Sequence, residues 1–356
     1  MAITAAMVKE LREITGAGMM DCKKALAETD GNMEAAIDVL KKSGAAKMEK
    51  KASRIAAEGI AKVAVNGNTA VVVEVNSETD FVAKNETFQA FVQEIADKAL
   101  TVEAEMCGDN DDMVSMLDIK AALEEKTLTI GEKLSPRRFQ KVTGDVVASY
   151  IHGGGRIGVL VAGTGACDDA AKEALQNIAM QIAAMNPQYI SRADISADEM
   201  AKLREITIDS ALNDPASLPK PILSELFAKV EAGNLFSAED AAVLAEKKND
   251  KYLFNFLSDA AKATLAGLAM EGKAAYVENK IFSGLVEGRI SKQVKEISLL
   301  DQAYVKAEDG KQTVAQYLGT VNKDLKIAKM VRYEVGEGME KKVDDFAAEV
   351  AAQAGM

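Results

Sequence analysis

The stretch that decides the fold reads Gly59-Ile60-Ala61-Lys62-Val63-Ala64-Val65-Asn66-Gly67-Asn68-Thr69-Ala70-Val71-Val72-Val73-Glu74-Val75. Gly59 to Val65 alternates apolar and polar residues, Asn66-Gly67-Asn68 is a strong turn, and Thr69 to Val75 is rich in β-branched side chains. This pattern predicts an antiparallel β-hairpin. A hairpin needs a second layer to bury one face, and the next segment supplies it as a helix bearing Phe88, Phe91, Val92 and Ile95. The same grammar recurs at 144–185. Gly144 to Ile151 reads as a strand, His152-Gly153-Gly154-Gly155 as a turn, Arg156 to Ala162 as a second strand, and Asp168 to Met185 as the closing helix. Two hairpin-plus-helix units of similar length predict an α+β fold with a duplicated antiparallel core.

Toward the N-terminus, residues 1–50 read as three short helices. Thr4 caps the first, with Val8, Leu11 and Ile14 on one face, and Thr15-Gly16-Ala17-Gly18 ends it. The second runs from Met19 to Ala27. After the Thr29-Asp30-Gly31-Asn32 turn, the third points Ala36, Ile37 and Leu40 inward and stops at Ser43-Gly44. This bundle resembles a ubiquitin-associated domain, and such a unit serves either as a docking module or as a cap on the main fold. The basic stretch with Lys47, Lys50, Lys51 and Arg54 lacks the interleaved aromatic residues of a base-stacking surface and reads as a solvated linker helix.

Beyond the second unit, the chain is rich in Ala, Glu, Lys and Leu. Leu223, Leu226, Phe227 and Val230, then Leu253, Phe256 and Leu257, fall at helical spacing, with breaks at Asn213-Asp214-Pro215 and Gly233-Asn234. A long helical, coiled-coil-like insertion is expected over 191–284. The core returns with a strand-like segment from Val294 to Leu299, a helix from Thr313 to Leu318 and a strand from Ile327 to Val335. A terminal helix carries Val343, Phe346, Ala347 and Val350. The expected divisions are 1–50 for the bundle, 55–140 for the first half of the core, 141–190 plus 285–335 for the second half, and 336–356 for the C-terminal helical module.

The length of 356 residues accommodates two or three domains, and an apolar fraction of 48% argues against wholesale disorder. With 43 basic and 55 acidic residues, the net charge of −12 argues against a protein that works chiefly by neutralising nucleic-acid phosphates. The single histidine excludes histidine-cluster metal sites. Cys22, Cys107 and Cys167 are far apart, without zinc spacing, and suit a reducing compartment. No apolar run approaches the ~20 residues needed to span a bilayer, and the N-terminal segment lacks the order of a secretory signal. A cytoplasmic protein with no membrane contact is expected.

No motif announces catalysis. Gly153-Gly154-Gly155 is followed by a strand, whereas a phosphate loop requires a helix there. Gly163-Thr164-Gly165 has two of the three dinucleotide-loop glycines and follows a hairpin strand. Asp109-Asn110-Asp111-Asp112 lacks the Gly and later Glu of a calcium loop and reads as a solvated loop. The expectation is a protein that acts by binding, without enzymatic activity, cofactor or resident metal. The informative segment is Asn76-Ser77-Glu78-Thr79-Asp80-Phe81-Val82-Ala83-Lys84-Asn85, at the junction of strand and helix. Its residues alone favour Thr79 or Asp80 as a helix cap with Phe81 tucked into the core as a staple.

Several long motifs then appear in order. They are Val8-Lys9-Glu10-Leu11-Arg12 with Thr15-Gly16-Ala17-Gly18-Met19-Met20-Asp21-Cys22, Glu74-Val75-Asn76 with Thr79-Asp80-Phe81-Val82-Ala83-Lys84, and Ile130-Gly131-Glu132 with Arg137-Arg138. His152 with Arg156-Ile157-Gly158-Val159-Leu160-Val161, Val286-Glu287-Gly288-Arg289, and Val335-Gly336-Glu337-Gly338 follow. The sequence thereby resembles the translation elongation factor Ts family over nearly its whole length outside roughly 200–280. The resemblance implies a guanine nucleotide exchange factor for elongation factor Tu, engaged in its GDP-bound and nucleotide-free states. It assigns Thr79, Asp80, Phe81 and Val82 to the segment that disturbs the partner's magnesium site, with Phe81 wedging into an apolar pocket. Leu11, Arg12, Met19 and Met20 fall at docking positions, and Ile130, Gly131 and His152 lie near the same surface. A direct nucleic-acid partner is not implied, and a homodimer stays open. The competing reading is a non-enzymatic helical adaptor that recruits client proteins. It accommodates the acidic charge but gives the hairpin core and the Asp80-Phe81 placement no purpose.

Overall fold

A computed structural model describes residues 3–340. Helices α1 (Ala5–Thr15), α2 (Met19–Glu28) and α3 (Met33–Lys51) form the N-terminal bundle. Thr4 accepts from the Met7 amide and Asn32 from the Ala35 amide, so both caps are local and readable in the chain. The third helix does not stop at Ser43-Gly44. It continues through the basic stretch to Lys51 because Gly44 lies where two helices cross: a Cβ there would sit 2.9 Å from the backbone oxygen of Glu124. Close approach, not termination, explains that glycine.

The hairpin forms as β1 (Glu58–Asn66) and β2 (Thr69–Ser77), paired antiparallel in register Asn66 to Thr69. There follow a four-residue helix α4 (Asp80–Ala83), α5 (Glu86–Thr101), the two-residue β3 (Met106–Cys107), α6 (Asn110–Met116), α7 (Lys120–Ile130) and β4 (Ser135–Thr143). The first sheet has the order β1-β2-β4-β3. Asp109, expected in a loop, caps α6 by accepting from the Asp111 and Asp112 amides. On one face of the sheet, Val71, Val73 and Phe139 pack with Phe88, Phe91, Val92 and Ile95 of α5. The bundle is seated on α7, whose Leu128 joins Leu11, Cys22, Leu26 and Leu40 in one core.

The second hairpin is β5 (Val146–His152) and β6 (Ile157–Thr164), backed by α8 (Asp169–Met185). Gly165 makes the turn after β6 at φ +87° and donates its amide to Asp145, so the Gly163–Gly165 segment is a strand exit.

Residues Pro187–Ala303 form a separate compact unit. It comprises α9 (Ala197–Asn213), α10 (Lys220–Gly233), α11 (Ala238–Lys247), α12 (Leu253–Phe256), α13 (Asp259–Glu271), α14 (Lys273–Val277) and α15 (Lys280–Ile297). These helices enclose a core of their own, with Leu212, Ile222, Leu226, Leu265, Phe282 and Val286 at its centre. The expectation of a coiled coil is therefore replaced by a globular helical unit. Its heptad-like runs turn toward several neighbours instead of one. Val294 to Leu299 is not a strand: α15 runs to Ile297, and Val294 is buried against the helical core.

The chain rejoins the first unit at Tyr304, continues through α16 (Val314–Val321) and ends in β7 (Lys326–Glu334), which pairs antiparallel with β6. The second sheet has the order β5-β6-β7. The two sheets face each other through Ala61, Ala70, Val72, Val142, Leu160, Ala162 and Val331. They approach so closely that a Cβ at Gly158 would lie 2.8 Å from Val72 Cγ2. The first unit is thus layered helix, sheet, sheet, helix, with α5 and α8 outermost. The expected terminal helix with Val343, Phe346, Ala347 and Val350 falls outside the described residues. No helix among the described residues is long and apolar enough to cross a membrane.

Candidate functional site

The sheet–sheet junction contains a fully buried carboxylate, Glu74 on β2. Arg137 Nη1 donates to its Oε1 at 3.0 Å and Arg138 Nε to its Oε2 at 2.5 Å, both from β4. Asn76 Nδ2 and the Gly336 amide donate to Oε1 at 3.2 and 2.8 Å. The Arg138 guanidinium also lies 4.0 Å from the centre of the Tyr333 ring. Burial pushes the Tyr333 phenol up to about 12. A charge removed from water requires such a complete set of donors. Glu74, Arg137, Arg138, Gly336 and Glu337, all drawn from the long motifs, are therefore structural and join the two sheets.

Four residues past the end of β2 the pattern inverts. Thr79 caps α4, its Oγ1 accepting from the Val82 amide at 3.4 Å. Adjacent helical positions differ by about 100°, so Val82 and Phe81 cannot share a face. Val82 turns inward and joins the core over β1 and β2. Phe81 turns outward and is 79% exposed, more than any other large apolar residue described. The cap expected at Thr79 is present, whereas the expected staple is not: the phenyl ring lies outside the core because Val82 occupies the inward position. Lys84 Nζ bonds Asp80 Oδ2 at 2.7 Å and lies 5.9 Å from the Phe81 ring centre. That hydrogen bond lowers the Asp80 carboxyl below its ordinary range.

Phe81 and Val82 line an open groove of about 530 Å³ with Ile14, Thr15 and Gly16 at the end of α1 and Ile130 at the end of α7. Gly16 adopts φ +65° to make the α1 exit, and Gly131 caps α7 at φ +85°. Asp80 and Lys84 instead border a second cleft of about 300 Å³ with Gly153, Gly154 and Arg156, beside exposed His152, whose Nδ1 is 3.1 Å from the Tyr150 hydroxyl. The α4 tip thus stands between the Ile130-Gly131 segment and the His152 turn.

In the bundle, Met19 and Met20 are 59% and 64% exposed, Arg12 is exposed, and Ile14, read on one face with Val8 and Leu11, is 57% exposed. Leu11 differs from its docking assignment. It is completely buried in the bundle core and supports α1 from within.

What holds the tip was not legible locally. Glu132, 53 residues from Thr79, accepts the Glu78 and Thr79 amides, each at 3.0 Å, and the Thr79 hydroxyl at 2.6 Å. In return Glu78 Oε1 accepts the Lys133 amide at 2.6 Å and both its oxygens accept from Arg54 at 3.1 Å. Lys133 Nζ reaches the carbonyls of Ala52 and Arg54, and Lys51 Nζ that of Gly131. The only advance signal was the place of Glu132 within the Ile130-Gly131-Glu132 motif.

Comparison with known proteins places the sequence in a family. The family model for Elongation factor TS matches residues 78–337, beginning at the tip clamp and ending at the sheet–sheet junction. Elongation factor Ts of Clostridioides difficile (strain 630) is 41% identical over 365 aligned positions, covering 99% of this chain and 98% of that protein. The chain belongs to the elongation factor Ts family. As a member of the elongation factor Ts family, it is a factor of translation elongation, and its exposed Phe81 lies within the matched region.

Proposed function

We propose that this protein binds elongation factor Tu in its GDP-bound and nucleotide-free forms and speeds GDP release by disturbing the partner's magnesium–phosphate contacts. The observation that carries this reading is a large apolar ring held in water at the tip of a braced four-residue helix. Leaving such a ring exposed gains nothing for the isolated fold, whereas burying it in a partner's pocket contributes about 1.5–3 kcal/mol. The chemistry required is conformational and forms no covalent bond, so the protein is read as a non-enzymatic factor.

Bound GDP is held largely through its phosphates and the bridging metal. The factor need only favour a partner conformation that loses those contacts. Coupling is reciprocal, so GDP must weaken factor binding as much as the factor weakens GDP binding, and incoming nucleotide can expel it. A thousandfold acceleration requires roughly 4 kcal/mol. Phe81 alone supplies less than that, which gives the exposed bundle residues Arg12, Met19 and Met20, together with the Ile130-Gly131 and His152 segments, the task of docking the tip. Fluorescent GDP release from elongation factor Tu, with and without this protein, tests the reading. Release is expected to accelerate with the wild-type chain, and no acceleration at saturating protein overturns it.

A further inference from the structure

We propose that Glu132 is the positioning residue that holds Phe81 in its projecting pose, an inference that rests on the exchange reading above. Helix α4 has only four residues, too few to be stable by its own hydrogen bonds. Its first turn is built instead from outside. The Glu132 carboxylate accepts the amides of Glu78 and Thr79 at the point where β2 has ended and the sheet no longer satisfies them. Its other oxygen accepts a hydrogen bond from the Thr79 hydroxyl at 2.6 Å, which leaves the Thr79 oxygen lone pair directed to the Val82 amide. One carboxylate therefore fixes both the strand exit and the cap that starts the helix. Val82 is anchored in the core, so fixing the helix start fixes the direction in which Phe81 leaves it.

The brace is reciprocal. Glu78 grips the Lys133 amide while Glu132 grips the Glu78 and Thr79 amides, and Lys133 ties the same loop to the carbonyls after α3. Bonds from neutral donors to a carboxylate are stronger than neutral pairs. Glu132 does not need to touch the partner to influence exchange.

The test uses the full-length protein with Glu132→Ala and Glu132→Gln, each in the wild-type and Phe81→Ala backgrounds. Hydrogen exchange on the free factor should show the Thr79 and Val82 amides losing at least tenfold protection in Glu132→Ala. The glutamine variant, which keeps an acceptor oxygen, should lose less. Catalysed GDP release at saturating factor should fall about tenfold for Glu132→Ala in the wild-type background and less than twofold when Phe81 is already removed, because the effect runs through the ring. Should the alanine variant fail to fold, the glutamine variant reads the same two quantities. Unchanged protection at Thr79 and Val82 overturns the proposal, as does an equal rate loss in both backgrounds. If Phe81→Ala leaves release unchanged, the exchange reading falls, and the protection data still decide whether Glu132 holds the tip.

Discussion

Strand β2 leads from one departure from the usual rule of burial to its opposite. At Glu74 a carboxylate is fully buried, and at Phe81 a phenyl ring is largely exposed to water. The difference lies in where the partners are. Every oxygen of Glu74 has donors supplied by β4, Asn76 and the Gly336 amide, so the carboxylate is satisfied within the chain. At the tip the Glu78 and Thr79 amides and the Thr79 hydroxyl are held from within the chain, whereas the Phe81 ring has only Lys84 at 5.9 Å beside it and is otherwise exposed. A self-satisfied exception stabilises the fold, while an unsatisfied one points to another molecule.

The contrast can be broken most forcefully at Glu74. Replacing it with alanine leaves two half-buried guanidinium groups facing the sheet junction, and urea unfolding should register a loss of about 3 kcal/mol. Alkaline titration gives the next effect. An unfolded tyrosine loses its proton near 10.0, whereas Tyr333 holds its proton to about 12. The folded state thus binds the extra proton between these values, so the stability is fully present below pH 10 and declines as pH rises toward 12. Tyr333→Phe should remove about 2–3 kcal/mol of that decline, read as the difference between the two stability–pH curves.

At the tip the expected signature is reversed. Phe81→Ala should leave unfolding stability within about 0.5 kcal/mol, since an exposed side chain carries little of the fold. Stopped-flow GDP release should nonetheless slow by tenfold or more, and unchanged release from the folded variant would remove the wedge. The smallest effect belongs to Lys84→Ala. Without the lysine hydrogen bond, Asp80 should titrate higher, toward 3.8, in carboxyl NMR. Because the shift is downward in the wild-type protein, the pair acts at neutral pH and fades only as pH falls through the lowered Asp80 value. Exchange between pH 6 and 8 should show no slope from this group.

How much was legible follows the range of the interactions. The bundle helices announce themselves through Thr4, Gly16 and Asn32, and the first hairpin through Asn66-Gly67, all signals spanning a few residues. Strand β4 went unread because Pro136, Arg137, Arg138 and Lys141 look like a basic loop. Its residues pair with β2 across a bulge at Glu74/Val75, which accommodates the proline opposite Val75. Val294, Ile297 and Leu299 carry strand-like branching but belong to or follow a helix set by the packing of the helical unit. At the candidate site, local composition placed Phe81 in the core. The exposed pose depends on Val82 taking the inward position and on Glu132, both facts of the folded chain.

The entrance and exit of the helical unit lie side by side. Tyr189 bridges in parallel to Ser298, Gln188 donates its amide to the Ile297 carbonyl, and Leu299 and Leu300 return amides to the Tyr189 and Ile190 carbonyls. A body of more than a hundred residues thus begins and ends on one short run of backbone pairing between its own two ends. Its size can be traded for a shorter loop, or a longer one, without respacing the strands on either side of the gap.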